Sequence, residues 1–128
     1  MTCFWNGILS AISDFTPIGL SKKPSPRIFA TAMKKHNTRV NNVFWNGTKL
    51  KEQEIDEMFE AVSDYNINGI SNGHLCSICD YFLSLVCEIF IVDIEHTYLN
   101  TKIKYTNSKN TKKPLLKFRS NRGHFWKV

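Results

Sequence analysis

Residues 74–94 read His-Leu-Cys-Ser-Ile-Cys-Asp-Tyr-Phe-Leu-Ser-Leu-Val-Cys-Glu-Ile-Phe-Ile-Val-Asp-Ile. Leu75, Ile78, Cys79, Phe82, Leu85, Val86 and Ile89 recur at spacings of three and four, which predicts a helix over His74–Cys87. Its apolar face is broad, so this helix belongs at the centre of the fold. The run Ile89-Phe90-Ile91-Val92-Asp93-Ile94 is rich in β-branched and aromatic residues and bounded by charge, and reads as a buried strand. A helical first part thus gives way here to a strand-rich second part.

Upstream, Phe4, Trp5, Ile8, Leu9, Ile12 and Phe15 give a first buried helix, N-capped by Thr2 and ended by Pro17 and Gly19. Ile28–His36 reads as a short helix. Val43-Phe44-Trp45 followed by Asn46-Gly47 reads as an apolar piece and a turn. A surface helix covers about Lys49–Tyr65, with Ile55, Met58, Phe59, Val62 and Tyr65 as its inner stripe. Downstream, Tyr98–Tyr105 alternates and reads as a second strand. Leu115–Phe118 and His124–Val128 pair as a hairpin across Ser120-Asn121-Arg122-Gly123. Helices first and a small, mostly antiparallel sheet after them make an α+β fold.

The chain has 128 residues, the size of one domain. Its 42% hydrophobic and 12% aromatic content is that of a folded globular protein. No stretch is apolar and long enough for a transmembrane helix, and the N-terminus lacks a basic region ahead of an apolar one. The expectation is a cytoplasmic chain without membrane contact, in which the four cysteines are thiols. The net charge of +6 favours acidic partners.

Two residues at opposite ends carry complementary chemistry. Cys3 opens the first helix, where backbone N–H groups and the helix dipole favour a thiolate. His124 opens the last strand and could hold the thiol proton. The same N–H groups could stabilise an oxyanion during acyl transfer.

Three segments in order resemble the ovarian-tumour (OTU) family of papain-like cysteine peptidases, chiefly deubiquitinases. Cys3-Phe4-Trp5-Asn6-Gly7-Ile8-Leu9-Ser10-Ala11-Ile12 looks like the family's nucleophile helix. Gly73–Leu83, followed by Glu88-Ile89-Phe90-Ile91-Val92, looks like its glycine, helix and central strand. Leu115–Phe118 with Gly123-His124-Phe125 looks like its final strands, where an aromatic follows the catalytic histidine. The resemblance implies one papain-like domain over residues 1–128 that cleaves ubiquitin or ubiquitin-like isopeptide bonds. It further implies Cys3 as nucleophile, His124 as base and no cofactor. Gly123 would leave room for the substrate's glycine tail, and Phe125 or Trp126 would wall that channel. The expected state is a monomer, of minimal viral type and acting in host cytoplasm.

The chain departs from the family twice. The family's Asp-Gly-Asn before the nucleophile is replaced by Met1-Thr2. Its Asp or Asn two residues after the histidine is replaced by Trp126, whose indole donates but cannot accept a hydrogen bond. Asn121 and Asp93 are the substitutes the sequence offers for an orienting group. A catalytically inactive ubiquitin-binding module is therefore an alternative.

Cys76 and Cys79 form a CxxC beside His74 and Cys87, but on a continuous apolar helix they read as core packing rather than a zinc site. His36 and His96 have no partner at an interpretable spacing. Basic residues from Lys102 to Lys127, interleaved with Tyr98, Tyr105 and Phe118, offer a further alternative. Such a segment could bind nucleic acid by phosphate contact and base stacking.

Overall fold

The computed structural model describes residues 3–70, 76–110 and 114–128, with backbone only at 76 and 77. Among these are four helices: α1 (Cys3–Ala11), α2 (Pro26–Lys35), α3 (Glu52–Asp64) and α4 (Cys76–Phe90). Six strands accompany them: β1 (Val43–Trp45), β2 (Thr48–Lys49), β3 (Ile94–Tyr98), β4 (Thr101–Asn107), β5 (Leu116–Ser120) and β6 (Phe125–Lys127). They form one mixed sheet in the order β2-β1-β4-β3-β5-β6, in which only β3 and β5 run parallel. The α+β class is as expected, but β1 and β2 lie between α2 and α3 and join the sheet as a hairpin.

The deciding stretch behaves as one long helix, not a helix and a strand. α4 runs to Phe90, stops at Ile91 in the left-handed region (φ 53), and β3 begins only at Ile94. Cys79, Phe82, Leu83, Leu85, Val86, Cys87 and Phe90 are all buried, so α4 is covered nearly all round. Inside such a helix a continuous apolar run carries no period that would separate it from a buried strand. Asn107 closes the helix end, donating from Nδ2 to the Cys87 carbonyl at 2.9 Å, and its own N–H donates to Asp93 Oδ1 at 3.0 Å.

Other boundaries shift for local reasons. α1 ends at Ala11 rather than Pro17, because Asp14 takes the chain into a separate 3-10 turn. Its Oδ1 accepts from the Thr16 N–H at 3.0 Å and from the Thr16 hydroxyl at 2.8 Å. α2 starts earlier than expected, with Ser25 accepting from the Ile28 N–H at 3.3 Å and Pro26 in the first turn. In α3 the buried stripe is Ile55, Met58 and Val62, while Phe59 faces solvent. The expected strand over Tyr98–Tyr105 is instead a hairpin, β3 turning at Leu99–Asn100 into β4. The hairpin of β5 and β6 forms where the sequence places it. Met1, Thr2, Gly73, His74 and Leu75 lie outside the described residues.

Inward-facing residues alternate along the sheet. Ile94, His96, Tyr105, Phe118, Ser120 and Phe125 point toward the helices and are buried. α4 lies against β4 and β1, and α1 against β6. The first helix therefore packs on the last strand.

Candidate functional site: a groove between the two ends of the chain

Phe4, Trp5, Ile8 and Leu9 hold α1 in the core. Trp5 meets Phe82 edge-on at 4.7 Å and Phe4 meets Phe125 at 4.9 Å, so the helix has no freedom to roll. The residues left over, Cys3, Asn6, Gly7 and Ser10, stand at 0, +3, +4 and +7 and share one face. That face forms one wall of a groove of ≈ 630 Å³, and His124, Phe125, Trp126 and Lys127 form the other. The two residues from opposite ends of the sequence thus line one groove, Cys3 almost covered and His124 exposed.

Gly7 is what lets the two walls meet. A Cβ on Gly7 would lie 2.7 and 2.8 Å from ring atoms of Phe125. Asn6, Ser10 and Lys127 also line the groove and are not among the residues the sequence singles out. A signal exists all the same, since small and polar residues recur at helical spacing in an otherwise apolar helix. Ser10 Oγ donates to the Gly7 carbonyl at 2.7 Å, which keeps its hydroxyl close to the helix.

His124 is placed by the turn that precedes it. The Asn121 N–H donates to the His124 carbonyl at 2.9 Å, and the Gly123 N–H donates to Asn121 Oδ1 at 2.9 Å. The imidazole stacks on the Trp126 indole, centroids 5.5 Å apart and planes at 17°. The neighbour of the His124 ring is thus an aromatic face, which limits ring rotation but accepts no proton.

Three sequence expectations change. Asp93 cannot orient His124: it sits just before Ile94, which pairs with Leu116, whereas His124 lies beyond the Ser120–Phe125 pair. The separation along the strands is about six residues, or about 20 Å. Asn121 has its side-chain oxygen turned to the Gly123 amide. Gly123 has open space where a Cβ would be, and its φ is not left-handed. Phe125 is a core residue, 1% exposed and stacked on Phe118 at 5.1 Å. It floors the groove, and Trp126, at 36% exposure, is the aromatic that can wall it.

A buried polar chain supports the hairpin that carries His124. His96 Nε2 lies 2.6 Å from Ser120 Oγ, and Ser120 pairs directly with Phe125. The His96 ring packs against Phe125 at 5.3 Å, and its Nδ1 lies 3.9 Å from Asp80 Oδ1 on α4. The Tyr105 hydroxyl donates to that same Asp80 oxygen at 2.7 Å. Burial raises Asp80 above its ordinary value, an effect the Tyr105 hydroxyl opposes. Burial also raises Tyr105 well above its usual value, and the Asp80 charge adds to this.

An alkaline instability follows. Burial, with smaller contributions from Asp93 and Glu88, pushes the Cys87 thiol far up as well. Cys87 and Tyr105 therefore stay protonated in the fold, while the unfolded chain ionises from about pH 8.5 at cysteine and about pH 10 at tyrosine. Both folded values are raised, so their contribution is complete below about pH 8.5 and is lost as pH climbs. Each fully mismatched group removes about 1.4 kcal/mol per pH unit. Urea midpoints measured from pH 8 to 11 should fall, and less steeply in Tyr105→Phe. A flat profile would contradict the assignment.

Cys79 and Cys87 are buried in the core, while the Cys76 side chain lies outside what is described. Tyr105 and Phe118 are also buried, so they are not the exposed aromatics of a nucleic-acid surface. Among the described residues, no helix is long and apolar enough to cross a membrane. No family model matches this chain, and neither does any curated protein or solved structure.

Proposed function

We propose that the groove is the active site of a papain-like, OTU-type cysteine peptidase that cleaves isopeptide bonds to ubiquitin or a ubiquitin-like protein. The observation that carries this reading is that Cys3, at a helix N-terminus, and His124, at the start of the closing strand, line one groove. Cys3 attacks the scissile carbonyl, and His124 takes the thiol proton and later gives it to the leaving lysine amine. Trp126 holds the imidazole by stacking, which makes the unit a dyad. Asn6 stands one turn beyond Cys3 on the same wall, within reach of a bound acyl group. β6 is an edge strand, so an extended substrate tail can lie along it between the walls.

The test is a ubiquitin probe with a thiol-reactive warhead at its C-terminus. Labelling that maps by peptide mass to Cys3, rather than to Cys76, Cys79 or Cys87, supports the enzyme. Ubiquitin binding without labelling would instead mean an inactive binding module.

A further inference from the structure

The outer face of the sheet is a second surface, which meets the groove at Trp126 and His124. Among the described residues, α1 and α4 lie against the sheet on its inner face, where Phe4 meets Phe125 and Asp80 meets Tyr105. The outward residues fall in two rows. One row runs Lys104, Glu95, Lys117 across β4, β3 and β5, and the next runs Lys102, Thr97, Arg119, Trp126 across β4, β3, β5 and β6. Lys102, Lys104, Lys117 and Arg119 are all exposed and surround a single carboxylate, Glu95, which pairs with Lys102 at 3.4 Å. Strands lie about 4.8 Å apart and alternate residues about 6.7 Å apart, so the four cations occupy a patch about 10 Å by 7 Å. At its β6 edge the patch ends in the stacked, solvent-facing pair Trp126 and His124.

We propose that this face binds single-stranded nucleic acid, the four cations meeting phosphates and the Trp126–His124 pair stacking a base. Charge complementarity sets the sign of the ligand: four cations against one paired acid. The aromatic pair selects among polyanions, because an exposed ring beside an arginine suits an unpaired base. A duplex hides its base faces, and an acidic peptide has none. A strand platform with cations on it and a ring at its margin also accounts for the alternation of basic with covered residues along β4 and β5.

The experiment uses the whole chain and a fluorescent twelve-nucleotide oligothymidylate, followed by anisotropy and by tryptophan emission. Trp5 is buried and Trp45 is half-buried, so stacking should quench emission through Trp126. Four phosphate contacts to a single strand give a log–log salt slope of about −2.8, or about a 50-fold loss of affinity between 50 and 200 mM salt. The double substitution Lys104→Gln, Lys117→Gln, on residues outside the groove, should halve that slope to about −1.4. Circular dichroism checks that this variant is folded. An unchanged slope in the folded variant, absence of quenching, or tighter binding to a duplex would overturn the proposal. Equal affinity for poly-glutamate would overturn it too, by showing that any acidic polymer suffices. These results do not depend on Cys3, so their failure leaves the peptidase reading untouched.

Discussion

Replacing Cys3 by alanine is expected to abolish ubiquitin-probe labelling and isopeptide cleavage, and replacing His124 by alanine is expected to slow cleavage by about 10²–10⁴-fold. The two differ because, in the proposed mechanism, Cys3 supplies the bond-forming sulfur, whereas His124 moves its proton. Without the imidazole, the sulfur stays in the groove but has no base beside it to take its proton. His124→Ala should therefore keep a residual rate, and Cys3→Ala none. Both variants should keep the wild-type unfolding midpoint within a few degrees, because His124 is exposed and Cys3 lies at the margin of the core. Rates of a fluorogenic ubiquitin substrate between pH 6 and 9 measure this. A His124→Ala enzyme with full activity at neutral pH would remove the histidine from the mechanism.

Gly7→Ala should destabilise the protein, although alanine is the better helix former. In an exposed helix interior the exchange gains up to about 1 kcal/mol. Here the added methyl would lie 2.7 Å from the Phe125 ring. That ring cannot retreat, being enclosed by Phe4, His96 and Phe118. Overpacking of this kind costs about 1–3 kcal/mol, which outweighs the helix gain and lowers the melting temperature by several degrees. Any relief must come from α1 lifting off β6, which widens the groove. The same variant should thus lose activity more steeply than stability. A Gly7→Ala protein that melts higher than wild type would mean the helix and strand are not in contact there.

Much of the fold is legible in periodicity, and the parts that are not have physical causes. The β5–β6 hairpin and the inner residues of α1 can be read because alternating and three–four patterns are local. The strand expected at Ile89–Ile94 fails because α4 is covered on all sides, which erases the period. Phe59 has the spacing of a core residue, yet it faces water because α3 buries only a narrow stripe. At the site, Cys3 and His124 stand out by their chemistry, and Trp126 by its place after the histidine. His96, Ser120, Asp80 and Tyr105 are invisible as a group: they come from three strands and α4, and only the parallel pairing of β3 with β5 brings Ser120 under His96. Asn6 and Ser10 lie within reach of sequence reasoning, because helical spacing alone puts them on the face that carries Cys3.

The packing of α1 on β6 has a consequence for the life of the chain at the ribosome. The sulfur-bearing helix is made well before the strand that faces it. Until Phe125 and Trp126 have emerged, α1 has no Phe125 to seat Gly7 and no wall opposite Cys3. Closing a loop of this length adds little entropy cost beyond that of a medium one, so docking is late without being unfavourable. A chain lacking β6 therefore carries the thiol but no assembled groove. Whatever the groove does depends on the docking of two elements that lie far apart along the chain.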